Sequence, residues 1–576
     1  MSTHLPSRPD HDLAADYDYD FVVVGSGFGG SVSALRLAEK GWRVLVVEAG
    51  RRWRSEDFPR TNWNLRKFLW MPGLFCYGIQ RLTLLRDVLV LSGAGVGGGS
   101  LVYANTLLEP GEEAFQRGWP QGVDWRETLA AHYATARRIL GVTVNPHLWE
   151  GDRQLLDFAR SLGKEDTFKP TQVGVLFGDR PGEAVGDPFF GGAGPERRTC
   201  IYCGGCMVGC RHNAKNTLDK NYLFFAEKLG AEVLAETRVT GLREDGRGGY
   251  ELATERSTGK LRKRRRTLRA RGVVLAAGAL GTVNLLLRCC EAGSLPRLSP
   301  ALGGYVRTNS EVLCGVTARS GAVDYSRGIA IASGFHPAPD TYMEVVRYPK
   351  GSDAMSFFGT VMTDGGSQLG RPLAWAAACL RYPLDFLRTL NPFGWAKRST
   401  IILVMQTLES SIRLVRERRW FWPFRKTLTS RRAPGQPPIP SYIPVANQAA
   451  RHLAQRIDAF PSSAINEVLL NVPTTAHILG GAAMASSSSS GVVDARNRVF
   501  GYDNLYVVDG SMIPVNLGVN PSLTITALAE HAMSHIPQKD PTAPLLPLPP
   551  QMRAARTNQS PAPVLTSTSG CADLER

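Results

Sequence analysis

Residues 22–50 read VVVGSGFGGSVSALRLAEKGWRVLVVEAG, and this stretch decides the fold. The apolar run at 21–24 is short enough for a buried strand. Gly25, Gly27 and Gly30 then make a G-x-G-x-x-G turn, followed by a helix with Ala34, Leu35 and Ala38 on one face. The run at 43–50 is a second strand, so the stretch is one complete βαβ unit. Each glycine has a task. Gly25 permits the tight turn, Gly27 lets a pyrophosphate approach the backbone, and Gly30 lets helix and strand pack closely, with the phosphates at the helix N-terminus. Glu48 ends the second strand, about 20 residues on, where an acid bonds ribose hydroxyls. An acid there argues against a 2′-phosphate, leaving FAD or NAD.

A second glycine-dense segment, GAGVGGGSLVYAN, lies at 93–105. Gly97, Gly98 and Gly99 remove side chains where backbone passes close to a ligand. Two such loops suit a long extended dinucleotide, which favours FAD. The expected fold class is α/β. Residues 1–17 and the Pro/Ser/Thr-rich 537–576 are expected to be disordered.

Of the 576 residues 43% are hydrophobic and 20% charged, ordinary for a globular protein. The net charge is +16, part of it in LRKRRRTLRARG at 261–272. A nucleic-acid partner requires a recognisable binding fold beside a basic patch, and none is present. The run reads as a solvated strand or hairpin face. No segment is apolar over the roughly 18 residues a membrane span requires. No apolar signal core opens the chain, so it reads as cytoplasmic.

Four blocks carry a family resemblance: 22–50; GVGGGSLVYANTLLEP; VVLAAGALGTVNLLL; and HILGGAAM with GYDNLYVVDGSMIPVNLGVNPSLTITALAEH. Over about 18–536 the chain resembles the glucose–methanol–choline (GMC) oxidoreductases, and is closest to their bacterial sterol-oxidising members. The resemblance implies a doubly wound FAD-binding domain, expected over 18–150, 212–315 and 477–536, with an inserted substrate domain built on an antiparallel sheet over 151–211 and 316–476. The second glycine loop offers no His for covalent attachment, so the FAD is expected to be non-covalent. The resemblance also implies cofactor contacts from Gly25, Ser26, Gly27, Phe28, Gly29, Gly30 and Glu48; from Gly97, Gly98, Gly99, Ser100 and Asn105; from Val239 beside the adenine, Ala277 and Gly278; and from Asp509, Gly510, Asn520 and Pro521. The family's catalytic pair falls on His477 and Asn520. A neutral imidazole accepts the hydroxyl proton of an alcohol, and the Asn amide donates to the alcohol oxygen or the flavin edge. Asn520 is also placed to cap the helix that follows. A carboxylate that moves the steroid double bond is expected at Glu344, with Glu311 as runner-up. The expected reaction is oxidation of a 3β-hydroxysteroid such as cholesterol, or of a similar lipid alcohol, with O2 or another carrier as acceptor.

Cys200, Cys203, Cys206 and Cys210 have the C-x2-C-x2-C-x3-C spacing of an iron–sulfur run. The run is too compact for the paired knuckles of zinc, and no second run exists. Structural thiols, an iron–sulfur cluster and zinc stay open as readings. At 371–409, Trp375, Leu380, Phe386, Leu387, Phe393 and Trp395 stand among Arg and Lys. This reads as core with a solvated face, or as an amphipathic lid touching membrane. The alternatives are a GMC dehydrogenase for a sugar or other alcohol that passes electrons through an iron–sulfur centre, and a basic metal-binding interaction protein.

Overall fold

The computed structural model of the protein describes residues 17–259, 263–419 and 422–554. Strand β1 (Tyr19–Val24) is apolar and buried on both faces, as a central parallel strand must be. It leads into α1 (Phe28–Glu39), all of whose residues are buried, and β2 (Val44–Val47). Further along come β3 (Glu232–Leu234), β4 (Thr237–Glu244), β5 (Tyr250–Arg256) and β6 (Arg265–Leu275). The sheet order is β3-β2-β1-β6-β5-β4, and the short strand Leu505–Val507 joins β6. The β3, β2, β1, β6 and Leu505–Val507 pairings are parallel. The first half of β6 pairs antiparallel with β5, which pairs antiparallel with β4. That half carries the basic run; Arg265, Arg266 and Arg269 are exposed, and Arg269 pairs with Glu251 at 3.3 Å. The run is a solvated strand face, with residues 261–262 outside the described residues. Helix α2 (Gly278–Glu291) follows β6.

The second sheet holds β7 (Val312–Ala318), β8 (Ile331–Ala338), β9 (Thr341–Val346), β10 (Ser399–Gln406) and β11 (Ala459–Ala464). Its order is β11-β7-β10-β9-β8, every pairing antiparallel. The two-residue period of a strand gives this sheet two destinations. Met343, Val345, Ile402 and Val404 pack under helices Glu150–Ser161 and Pro444–Arg456. Tyr342, Val346, Leu403 and Met405 join the core of the FAD-binding domain. Glu344 alternates with Tyr342 and Val346, so it points into the seam between the domains. Helices α3 (Gly370–Arg381) and α4 (Pro383–Leu390) lie on the outside.

The expected boundaries shift in three places. The substrate sheet, which Lys169–Pro170 and Gly359–Val361 extend at its two edges, takes in residues 312–315 as well as those from 316 onward. The hairpin of Ile412–Arg419 and Trp422–Arg432, expected in the substrate domain, packs Ile412 and Leu414 against Val283 of α2. The expectation of disorder from 537 onward fails over 537–554. There Leu548 and Met552 are buried, Lys539 N–H donates to the Lys40 carbonyl at 3.0 Å, and Leu546 N–H to Glu39 at 2.9 Å. Two apolar anchors among the prolines hold this segment down. Residues 1–16 and 555–576, Cys571 among them, lie outside the described residues.

Candidate active site

The first glycine turn is shaped by close backbone approach. Gly25 has φ +104°, and a Cβ there would lie 2.3 Å from the Ala276 carbonyl oxygen. A Cβ on Gly98 would lie 2.6 Å from the Gly27 Cα, so the two glycine loops touch backbone to backbone. Glu48 fastens them. Its carboxylate accepts from Ser26 N–H (3.1 Å), Ser26 Oγ–H (2.7 Å), Gly50 N–H (2.7 Å) and Gly95 N–H (3.3 Å). Ser26 Oγ in turn accepts from Gly97 N–H at 3.1 Å. Sequence reading gave Glu48 a ribose role only. Its clamp on the second loop was not visible there.

The remaining expected contacts are placed as follows. Phe28 meets Tyr103 edge to face, and Ser100 Oγ accepts from Leu218 N–H at 3.1 Å. Gly29 packs under the Val508 carbonyl and Gly30 on that of Gly25. Asn105 is buried at φ +73°, and its amide atoms meet no hydrogen bond of good geometry among the described residues. Val239 is buried on β4. Ala277 and Gly278 open α2, where Ala277 N–H donates to Thr282 Oγ1 (3.1 Å) and Thr282 to Asp509 (2.5 Å). Burial pushes the Asp509 carboxyl above its usual range, against bonds from Ser511 and Thr282. Gly510 accepts from Gly480 N–H at 2.9 Å, joining the Asp509 turn to the segment that carries His477. Space around Gly27 and Gly278 is open, with nothing within 4 Å of a Cβ position. Open glycines at the heads of two helices fit an extended dinucleotide.

His477 is nearly buried, its side chain 11% exposed. Glu311 holds it. Nδ1 lies 2.5 Å from Glu311 Oε1, while Glu311 Oε2 accepts from Ala476 N–H at 3.0 Å. Burial works against a charge on the imidazole, but the Glu311 carboxylate outweighs it, and the His477 pKa is raised above 6.5. A hydrogen bond at Nδ1 leaves Nε2 free for chemistry, and Asn520 Nδ2 lies 3.3 Å from that atom. Asn520 does not cap the helix after it; Pro521 is the N-cap, and no side-chain cap bond forms. Asn309 Nδ2–H instead fixes the loop by donating to the Val519 carbonyl at 2.8 Å.

Glu344 is fully buried beside this pair, and burial pushes its pKa up to about 8, with His477 and Asn520 pulling it down. Neither carboxyl oxygen has a hydrogen bond of good geometry among the described residues; the Asn520 amide is the polar group beside it. Glu344 is thus brought together with His477 and Asn520, the pair expected to be catalytic. Glu311, the runner-up, is engaged with His477 instead. Sequence reading missed that partnership because Glu311 and His477 are 166 residues apart. Two consecutive non-glycine residues with positive φ, Asn309 (+55°) and Ser310 (+48°), turn Glu311 inward. Such a turn costs of order 1–3 kcal/mol per residue and persists only where the surroundings over-determine it.

The cysteine run takes its order from cations that bind backbone. Lys215 Nζ donates to the carbonyls of Leu101 (3.1 Å), Tyr103 (2.8 Å) and Cys206 (2.8 Å), fixing the run to the second glycine loop. Arg197 donates to the carbonyls of Asn213, Ala214 and Lys215, each at 3.0 Å. Cys200, Cys203, Cys206 and Cys210 are free thiols. Among the described residues, no group of three or more His, Cys, Asp or Glu side chains is placed to hold a metal ion.

With this geometry in hand, comparison with known proteins is direct. Sequence profiles described as GMC oxidoreductase match residues 195–293 and 414–529, and one described as FAD binding domain matches 20–59. A cholesterol oxidase of Acinetobacter baumannii is 49% identical, over 91% of this chain and 95% of its own length. A cholesterol oxidase of Mycobacterium tuberculosis (strain ATCC 25618 / H37Rv) is 48% identical, over 91% and 92%. Among solved structures, pyridoxine 4-oxidase from Mesorbium loti superposes with a TM-score of 0.57 at 17% identity, covering 89% of this chain and 98% of its own, and shares the fold. Identity of 48–49% to the two cholesterol oxidases, across nine-tenths of both chains, makes this chain a member of the GMC oxidoreductase family, an FAD-dependent oxidoreductase acting on CH–OH groups.

Proposed function

We propose that the protein oxidises the 3β-hydroxyl of a steroid such as cholesterol and then shifts the adjacent double bond. The observation that carries this reading is the meeting of His477 Nε2, the Asn520 amide and the Glu344 carboxyl in one buried seam. The names of the two relatives supply the substrate class. His477 Nε2 accepts the hydroxyl proton while Glu311 at Nδ1 fixes the tautomer and stabilises the imidazolium that forms. Asn520 orients the alcohol oxygen. When bound, FAD supplies the acceptor for the hydride that leaves C3, held by the two glycine loops, Val239 and the Asp509–Gly510 turn. Glu344, in its ionised form, takes a proton from C4 of the unconjugated 5-en-3-one, the double bond moves from C5=C6 to C4=C5, and the proton returns at C6 to give the conjugated 4-en-3-one. Dioxygen is the electron acceptor we favour.

The substrate lies in bilayers, and we propose that α3 and α4 meet the membrane. Leu380 (84% exposed), Leu384, Leu387 and Phe393 (77%) project outward, with Arg381 and Arg388 among them, while Trp375 and Phe386 pack edge to face beneath. Apolar residues ringed by cations suit an anionic surface. No helix among the described residues is long and apolar enough to cross a membrane. Free thiols at all nine described cysteines accord with a reducing, cytoplasmic setting.

The test is aerobic incubation of the holoprotein with cholesterol and quantification of the 3-ketosteroid and hydrogen peroxide. Ketone without peroxide moves the acceptor from oxygen to another carrier. No ketone, with turnover of a long-chain primary alcohol, overturns the steroid reading.

A further inference from the structure

Taking His477 as the proton acceptor, as above, we propose that Glu467 is a positioning residue for His477, acting through Glu311, and that Arg371 ties this unit to the exposed helices. Glu467 lies in the six-residue helix Ile465–Leu470 and is fully buried. Its Oε1 accepts from Leu313 N–H at 3.2 Å, two residues beyond Glu311. The Thr474 amide, three residues before His477, lies on the same carboxyl. Asn466 adds a second hold on the segment that leads to His477, donating to the Val472 carbonyl (2.7 Å) and Thr474 Oγ1 (2.9 Å). One buried carboxyl thus spans the two segments, far apart in sequence, whose meeting creates the His477–Glu311 contact.

Arg371 reaches the same place from outside. Of the residues of α3 only Arg371 is buried. Its Nη1 donates to the Glu467 carbonyl at 2.8 Å, to Ser441 O and Oγ at 3.0 Å, and toward Asn471 Oδ1 at 3.3 Å. The helix pair proposed to touch membrane is pinned by one side chain to the helix that organises the catalytic contact.

The charged and titratable groups facing Glu467 are Arg371 of α3, Cys314 of β7 and Glu311; those facing His477 are Glu311 and Glu344. Burial pushes the Glu467 pKa up to about 8, so near neutral pH it is an uncharged acid. Removing it takes no charge from the site. Any change in the titration of His477 must then come through the placement of Glu311.

This gives a readout that a merely structural role does not move. In Glu467→Ala, the acid limb of kcat/KM for flavin reduction by detergent-solubilised cholesterol shifts downward by about one pH unit, because a displaced carboxylate raises the imidazole less. Glu467→Gln keeps an oxygen for Leu313 N–H and restores the limb. Arg371→Met shifts the limb in the same direction by a smaller amount, and decides the matter if Glu467→Ala yields no folded holoprotein. An acid limb at its wild-type position in Glu467→Ala or, failing that variant, in Arg371→Met overturns the proposal. His477→Gln is run in parallel. If it reduces flavin at the wild-type rate, the reading of His477 itself fails and takes this inference with it; if it is inactive, the Glu467 result stands alone.

Discussion

Replacing Glu344 by Gln separates the two halves of the proposed chemistry. The side chain is fully buried, and burial pushes its pKa up to about 8. At pH 7 about one-tenth of the carboxyls are ionised, and at pH 8 about half. Isomerisation needs the ionised form, so its rate should rise about tenfold from pH 6 to 7, about fivefold from 7 to 8, and level off above 9. A positioned general base contributes about 10²–10⁴-fold, and Glu344→Gln should lose that much of the isomerisation rate. Oxidation, which uses His477 and Asn520, should fall less than about tenfold, since the amide is nearly isosteric and leaves no buried charge unpaired. The assay follows the two ketosteroids by chromatography, with the conjugated enone also read by its ultraviolet absorbance. Glu344→Gln should accumulate the unconjugated ketone. Wild-type production of the conjugated enone by this variant, or an isomerisation rate flat from pH 6 to 8, refutes the reasoning.

Other expectations follow from the same geometry. Glu311→Gln keeps an acceptor for Nδ1–H but loses its charge, worth about 1.5–3 kcal/mol for a buried ionic hydrogen bond. Flavin reduction should slow about 10–100-fold at its pH optimum, and the acid limb should move to lower pH because the group that raises the His477 pKa is gone; stopped-flow profiles check both. Glu344 and Glu467 are acids with raised folded pKa values, so the stability they contribute is present at low pH and is lost as pH rises through about 8. Urea unfolding of the wild type should show a loss of about 1.4 kcal/mol per pH unit per carboxyl between pH 6 and 8, flattened in the Glu344→Gln, Glu467→Gln double variant. Leu380→Glu with Leu387→Glu removes two exposed apolar anchors worth about 1.5–3 kcal/mol each when buried in lipid. Sedimentation with phosphatidylserine-containing vesicles should weaken at least about 100-fold, with turnover of detergent-solubilised cholesterol unaffected.

What sequence alone revealed follows from the range of each signal. The first βαβ unit was legible because strand, glycine turn, helix and acid are set by neighbours within about thirty residues. Glu344 was a candidate through the family resemblance alone; its alternation with Tyr342 and Val346, which turns it into the seam, is seen only in the folded strand. The second duty of Glu48, to Gly95, depends on contact between two loops that share no pattern. The role of Glu311 was hidden more deeply, because two left-handed residues aim it and its partner lies on another segment. Glu467 gave no signal, since one acid in the helix INEVLL looks like any solvated acid until the burial of that helix is known. The Pro-rich start of the tail misled because composition registers the prolines and not the anchors Leu548 and Met552. The cysteine spacing left ligands and structural thiols equally open, and gave no hint that Lys215 and Arg197 order that loop through backbone carbonyls.

The most direct test of the central claim is anaerobic titration of the FAD-loaded protein with cholesterol, following flavin absorbance. The wild type should bleach with one equivalent of steroid per flavin, His477→Gln should stay oxidised, and admission of air to the bleached wild type should restore the colour. A flavin that stays oxidised in wild-type protein with cholesterol present, or that bleaches equally fast in His477→Gln, contradicts the account.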